Sequence, residues 1–257
     1  MKRKTSALIK EHREIASGVY SLILETMLAV EAEPGQFAGV YLRDGSHILM
    51  RPISICDAAG RELRMVYRTA GAGTKELSTY RAGESVDILG MLGNGYDMEK
   101  LKGKNVLALG GGIGIPPMLY LVKTLKKEGI HASAVLGYAD NDTFLKKEFE
   151  DVCDTYAASM DGSIGTKGTV LDAIKENGLK ADVICACGPM PMLAAVKKYA
   201  EENGMEAYIS LEERMACGVG ACLGCVTKTV KEDHHTHVNN TRICVEGPVF
   251  DAKEVCI

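Results

Sequence analysis

The sequence predicts an α+β multidomain chain in three parts: an N-terminal antiparallel β-barrel or sandwich over residues 1–100, a central parallel-sheet α/β domain over residues 101–210, and a small cysteine-rich domain over residues 211–257. Three observations predict it. Short alternating or apolar runs broken by glycine-containing turns fill the first hundred residues, the pattern of half-buried antiparallel strands. From Lys104 strand and helix patterns alternate, which predicts a parallel sheet with crossover helices. From Leu211 the chain is dense in cysteine and glycine and poor in apolar runs.

In the first part the strand-like runs are Val19 to Leu24, Phe37 to Leu42, Leu63 to Tyr67 and Ser85 to Leu89, with Arg51 to Ser54 on a further strand. Gly71 to Lys75 opens a short helix. In the second part the order is strand Val106 to Leu109, helix Pro116 to Glu128, strand Ala132 to Leu136, helix Phe144 to Tyr156, strand Val183 to Cys187 and helix Met190 to Asn203. The third part holds a cysteine loop and a hairpin pairing Val226 to Val230 with Thr241 to Val245. No repeat, low-complexity tract or flexible linker interrupts them.

Composition excludes several classes. The net charge is −4, with 30 basic and 34 acidic residues spread along the chain, so no nucleic-acid or polybasic membrane surface is indicated. Asn105 to Val122 carries no charge over 18 positions, yet four glycines and Pro116-Pro117 sit within it, which suits a strand, a turn and a helix start rather than a membrane span. The N-terminal apolar run is only Ala7-Leu8-Ile9, too short for an export signal. With nine cysteines in metal-like spacing, a reducing cytoplasm is the expected location.

Leu109-Gly110-Gly111-Gly112-Ile113-Gly114-Ile115-Pro116-Pro117 leaves a strand and enters a helix. Gly111, Gly112 and Gly114 let backbone approach a pyrophosphate, and the helix start supplies N–H donors. The next strand ends at Tyr138-Ala139-Asp140. Asp140 either accepts from a ribose hydroxyl, favouring NAD(H) over NADP(H), or caps the following helix. Cys187-Gly188-Pro189 closes a later strand at the carboxyl edge, where Cys187 either faces nicotinamide or packs as a buried thiol. In the first part Arg51 and Arg68 are candidate phosphate donors, Ser54 is a candidate partner for a flavin edge, and Tyr67 a candidate stacking ring.

Cys217, Cys222 and Cys225 follow the Cys-x4-Cys-x2-Cys spacing, and Cys244 lies 19 positions further on. That is the plant-type ferredoxin arrangement for a 2Fe-2S cluster. Gly218, Gly220 and Gly224 permit a chain to wrap a cluster closely. Structural zinc is the alternative for four thiolates, although zinc sites more often pair cysteines twice at two to four intervening residues. His234, His235 and His237 in the hairpin are either exposed loop residues or part of a separate metal site. Cys56, Cys153 and Cys256 have no assigned role.

Arg51-Pro-x-Ser54, Gly73-Thr74, the Gly111-to-Pro116 turn and Cys187-Gly188-Pro189, in that order, resemble the ferredoxin-NADP reductase superfamily. Glu213-Arg214-Met215-Ala216-Cys217 through Cys225, with Cys244-Val-Glu-Gly-Pro-Val-Phe250, resemble the electron-transfer subunits of dihydroorotate dehydrogenase B. The resemblance implies an FAD-binding barrel, an NAD-binding α/β domain and a 2Fe-2S domain. It implies that Arg51, Pro52, Ile53, Ser54, Tyr67, Arg68, Thr69, Gly73 and Thr74 line FAD, and that Cys217, Cys222, Cys225 and Cys244 hold the cluster. It further implies a partner carrying FMN, in a heterotetramer of two copies of each chain, serving pyrimidine biosynthesis. The alternative within the superfamily is a subunit of a bifurcating ferredoxin:NAD(P) oxidoreductase or a hydrogenase γ subunit; the bifurcating type tends to carry Asp where this chain has Cys217. The histidines of the hairpin match no family motif. With the chain occupied by three cofactor-type parts, electrons are expected to enter or leave through a protein partner near the cysteine loop.

Overall fold

The computed structural model describes residues 2–232 and 237–257. Six strands close into a barrel in the order β1-β2-β5-β4-β3-β6, every neighbouring pair antiparallel. They are β1 (Arg3–Ala16), β2 (Val19–Glu25), β3 (Phe37–Tyr41), β4 (Arg51–Ala59), β5 (Glu62–Arg68) and β6 (Ser85–Leu92), with helix α1 (Ala72–Leu77) joining the last two. Alternate residues turn inward: Leu22 and Leu24, Ile53 and Ile55, Leu63 and Met65, Val86 and Ile88 form the barrel core. Burying such a side chain contributes roughly 1.5–3 kcal/mol each. The expected choice between barrel and sandwich resolves to a barrel because β1 pairs with both β2 and β6. Only Ala7 and Ile9 of β1 are buried, so this strand, whose outer face is mostly charged, has little apolar signature.

After α2 (Met98–Leu101) come β7 (Val106–Gly111), α3 (Ile115–Lys127), β8 (Ala132–Tyr138), α4 (Lys146–Glu150), β9 (Asp154–Ser159), β10 (Thr166–Lys167), α5 (Val170–Glu176), β11 (Val183–Cys187), α6 (Met190–Glu202) and β12 (Glu206–Ser210). The sheet order is β10-β9-β8-β7-β11-β12-β15, parallel except for its last member. Pro116 and Pro117 occupy the first turn of α3, where a missing N–H is harmless, and Met118, Leu119, Leu121, Val122 and Leu125 give it a buried stripe. The expected helix through Tyr156 is shorter: it ends at Glu150, and β9 begins at Asp154. Pairing of Thr155 and Ala157 beside Ala134 and Leu136 overrides the local helical pattern.

The remaining strands are β13 (Val226–Lys228), β14 (Asn240–Arg242) and β15 (Val249–Asp251). The hairpin β13–β14 is present, shorter than expected. β15 returns to the edge of the large sheet, antiparallel to β12, and Ile243, Cys244, Phe250 and Val255 are buried. The tail is thus less poor in core than its sequence suggests.

The two halves are joined by apolar contact and charge. Val19, Cys56 and Val66 of the barrel share a core with Ala108, Ile115 and Met118. Arg64 donates twice to Glu148, at 2.6 and 3.0 Å, Lys123 pairs with Asp57, and Tyr120 donates to the Ala32 carbonyl at 2.7 Å. This seam turns the carboxyl ends of β7 and β11 toward β4 and β5. Among the described residues no helix is long and apolar enough to cross a membrane, and none of the nine cysteines forms a disulfide.

Candidate functional site

A cavity of about 540 Å³ lies between barrel and sheet, within the usual size range of small-molecule sites. Its barrel wall is Pro52, Ile53 and Ser54 of β4 with Tyr67 and Arg68 of β5, and Thr74 closes one end. Ile113 of the glycine turn and residues 210–215 after β12 form the opposite wall. Arg51 stands beside it with its guanidinium packed on Gly73, where any Cβ would collide with it, and Nη1 donates to the Leu49 carbonyl at 2.5 Å. The empty side-chain position at Gly73 is therefore what seats the Arg51 cation.

Tyr67 lines the cavity, but its ring is already engaged. It stacks on Tyr20 at 5.7 Å between centroids, and its hydroxyl lies 2.9 Å from His12 Nε2. His12 Nδ1 lies 2.9 Å from the Tyr80 carbonyl, an acceptor only, so Nδ1 carries the proton and Tyr67 donates to Nε2. Burial pushes Tyr67 well above the usual phenol range and lowers His12, which keeps both neutral. Thr69 bonds the Gly18 carbonyl through N–H and hydroxyl, at 2.9 and 3.3 Å. It faces a second cavity of about 350 Å³ shared with Arg68, Gly112, Asp140 and Asp142.

The glycine turn and the Cys187-Gly188-Pro189 turn close neighbouring strands β7 and β11. From β7 the chain proceeds to β8 on one side, and β11 returns on the other, which makes this the switch point where open α/β sheets bind ligands. Gly114 touches the Cys187 carbonyl and the Gly188 nitrogen so closely that a Cβ would overlap both. Gly111 packs on Pro189 and Met192, and Gly112 has φ +52° with open space beside it. Asp140 does not cap α4, whose N-cap is Leu145; one carboxylate oxygen accepts the Asp142 N–H at 2.8 Å.

Cys187 is fully buried and does not itself line the cavity. Its Sγ lies 3.9 Å from Oε1 of Glu212, which does. Burial, then the Glu212 charge, hold the Cys187 thiol far above its ordinary range, so it is a neutral thiol. Glu212 reaches water through the cavity mouth yet is ringed densely by protein, and that desolvation raises its carboxyl.

Cys217 lies within hydrogen-bonding reach of Cys222, and Cys244 of Cys225. Burial opposes ionisation of Cys217, but hydrogen bonds from the Val219 N–H at 3.4 Å, from the thiol and N–H of Cys222 and from the Ala221 N–H at 3.3 Å together outweigh it and bring the thiol down to about 6. Burial pushes Cys244 up to about 12. Among the described residues the one set of three or more ligand atoms within 4.8 Å of each other is Asp44, His47 and Glu76. The donor set of Cys217, Cys222, Cys225 and Cys244 fits a two-iron centre, which takes four thiolates, two to each iron.

A family model described as the iron-sulfur cluster binding domain of dihydroorotate dehydrogenase B matches residues 212–256. The electron transfer subunit of dihydroorotate dehydrogenase B (NAD(+)) from Bacillus cereus (strain B4264) is 41% identical over 264 aligned positions, covering all of both chains. The chain belongs to the family of dihydroorotate dehydrogenase B electron-transfer subunits. The counterpart from Bacillus anthracis (strain CDC 684 / NRRL 3495) shows the same identity and coverage. Among solved structures, an NADH-dependent reduced ferredoxin-NADP oxidoreductase studied for flavin-based electron bifurcation superposes with a TM-score of 0.87 at 30% identity, covering 97% of this chain and 89% of that one. A ferredoxin NADP+ reductase from Neisseria gonorrhoeae shares the fold, with a TM-score of 0.67 at 13% identity over 82% of this chain and 94% of that one. An electron-transfer subunit by definition works with a catalytic partner.

For this electron-transfer subunit the structure adds Glu212 and Met50 to the residues singled out from sequence. Glu212 follows the carboxyl end of β12, a position the ligand rule for parallel sheets already favours. Met50 carries no such signal. Of the other cysteines, Cys56 is buried in the seam and pushed up to about 12 by burial, Cys153 sits half-buried beside Thr155, and Cys256 is exposed. His237 is exposed, 3.2 Å from Glu232; His234 and His235 lie outside the described residues.

Proposed function

We propose that the 540 Å³ cavity holds the FAD ring system against Pro52 to Ser54, that Arg51, Arg68 and Thr74 hold the rest of the cofactor, and that the four cysteines hold a 2Fe-2S cluster. The turns at Gly111 to Gly114 and Cys187 to Pro189, with Asp140, receive NAD(H). One observation carries this reading: the cavity is lined both by Ile113 of the nucleotide turn and by Met215, two residues before Cys217. A bound flavin there adjoins both the hydride donor and the cluster loop.

Flavin supplies the exchange between two-electron hydride chemistry and one-electron transfer. The chain's own residues supply the setting. Arg51 and Arg68 offer cations to the cofactor phosphates. Ser54 offers a hydroxyl to the ring edge, Glu212 and the buried Cys187 border the nicotinamide side, and the apolar wall of Ile53, Val66 and Met215 excludes water. Val219 and Ala221 direct N–H groups at Cys217, which stabilises a thiolate ligand.

The chain acts as a subunit of an NAD-linked oxidoreductase in the cytoplasm, in pyrimidine biosynthesis. Its partner oxidises dihydroorotate on FMN, and electrons pass through cluster and FAD to NAD+; the assembly contains two copies of each chain. Ile48 and Leu49 are 77% and 48% exposed, and Val219 and Leu223 45% and 63%. Val219 and Leu223 lie within the cysteine loop, and Ile48 and Leu49 directly precede Met50, whose side chain reaches Gly218 of that loop; exposed apolar side chains there suit a partner surface. In the test, the isolated chain passes electrons from NADH to a dye and leaves dihydroorotate untouched, and adding the catalytic partner restores NAD+ reduction by dihydroorotate. Dihydroorotate oxidation by the chain alone contradicts the reading. The likeness to the bifurcating oxidoreductase supports a second reading, separated by whether an FMN subunit or a larger ferredoxin-reducing subunit copurifies.

A further inference from the structure

Met50 is 1% exposed and immediately precedes Arg51 at the head of β4. Its side chain crosses β3 over Gly39 and ends against Gly218, one residue after Cys217. A Cβ at Gly39 would collide with its Sδ, and a Cβ at Gly218 would collide with its Cε while standing 3.0 Å from Sδ. Gly218 also has φ +66°, a conformation that glycine adopts freely. Met50 belongs to the same buried cluster as Phe37, Leu92 and Cys225, and Leu92 joins it against Gly218. Two elements far apart in sequence have thus left out their side chains where this one passes.

We propose that Met50 is a positioning residue that locks the Cys217–Gly218 segment to the head of the flavin strand and so fixes how the cluster loop sits against the flavin cavity. Methionine suits the task because it is long, unbranched and able to fill an irregular gap between backbones. The consequence reaches the first cysteine. Val219 and Ala221 direct their N–H groups at Cys217 Sγ from the segment that Gly218 anchors. Hydrogen bonds to the sulfurs and solvent access around them set the potential of an iron-sulfur centre. Loosening Met50 therefore alters both. Met50 is followed directly by Arg51 at the head of β4, so one residue ties the seat of the cluster to the seat of the flavin.

This inference rests on the reading of the cavity as an FAD site and of the four cysteines as cluster ligands. It is tested in the complete complex with the catalytic partner, using Met50→Leu and Met50→Ala. Leucine keeps the volume and the fold at a cost below about 1.5 kcal/mol, but it lacks the terminal methyl that touches Gly218. Four quantities are read: FAD content, iron content, the EPR signal and midpoint potential of the reduced cluster, and the rates of flavin bleaching and cluster reduction after mixing with NADH. The expected result for Met50→Leu is unchanged FAD content and flavin bleaching, with an altered EPR line shape, a shifted potential and slower cluster reduction. Met50→Ala changes the same quantities further, or loses iron while keeping FAD. Wild-type EPR, potential and cluster-reduction rate in both variants overturn the role of Met50. A wild-type complex without FAD or without an iron EPR signal overturns the underlying reading, and with it this one.

Discussion

Replacing Gly114 by alanine puts a methyl group into the backbone of the neighbouring turn. The new Cβ would overlap the Cys187 carbonyl and stand 2.6 Å from the Gly188 nitrogen. Ordinary contacts are near 3.5 Å, and backbone cannot rotate out of the way as a side chain can, so the β7 and β11 turns must separate by about 1 Å. Both turns border the proposed nicotinamide site, and a displacement of about 1 Å costs on the order of 10²-fold in rate, or about 2.7 kcal/mol of transition-state stabilisation. Steady-state reduction of a dye by NADH, with FAD content measured in parallel, reads the effect. The expected outcome is a hundredfold-order fall in kcat/KM with FAD retained. Two controls calibrate it. Gly112→Ala meets open space but has φ +52°, so it pays about 1–2 kcal/mol in backbone strain with little kinetic change. Gly188→Ala meets chiefly the flexible Met192 side chain and is milder than Gly114→Ala. Wild-type kcat/KM in a folded Gly114→Ala protein refutes the switch-point assignment.

Gly73→Ala displaces the Arg51 guanidinium, so flavin is lost during gel filtration more readily than from wild type, and the ratio of flavin to protein absorbance measures it. Glu148→Ala leaves Arg64 with its bidentate acceptor removed; because Glu148 is 37% exposed, the expected cost is about 1–2 kcal/mol, seen as a lower thermal midpoint. Adding Arg64→Met should recover part of it in a double-mutant cycle. Native Cys187, buried as a neutral thiol, should resist iodoacetamide at mildly alkaline pH while Cys256 is labelled, as peptide mass mapping would show. Glu212 has its folded value raised, so its charged form is disfavoured by folding. Wild type should therefore lose stability relative to Glu212→Gln as pH rises from the ordinary carboxylate range near 4.3 through the elevated folded value. Parallel thermal midpoints across that window check the sign, and identical pH profiles of the two proteins contradict it.

Much of this arrangement was legible because local pattern and tertiary role coincide. Strands β2 and β5 carry partly alternating burial, while β3 and β6 are short apolar runs buried along most of their length, the two patterns the sequence displays. The glycine turn and Cys187-Gly188-Pro189 mark two strand ends that topology then brings side by side. The cysteine spacing announced a metal centre, and the match of residues 212–256 to an iron-sulfur cluster binding domain names it. Legibility failed where long-range pairing decides. Closure through β1 depends on partners at both its edges, Thr155 to Ala157 become strand only beside β8, and β15 is recruited by β12 from nearly 40 residues away. Tyr67 stood out as a candidate stacking ring, but its partners did not: one neighbour ring is Tyr20 and its hydroxyl meets His12, while the residue lines the cavity. Glu212 lay in plain sight after a strand end. Met50 could not be singled out, since 12 methionines look alike in sequence and only the paired gaps at Gly39 and Gly218 distinguish this one.

The most direct test of the electron relay is an anaerobic titration of the purified chain with NADH, following the visible flavin band and the low-temperature EPR spectrum together. The relay predicts that the flavin band bleaches and a reduced 2Fe-2S signal grows in the same titration, the signal disappearing in Cys222→Ser while bleaching persists. Bleaching with no iron signal in the wild-type protein, or zinc in place of iron, would contradict it.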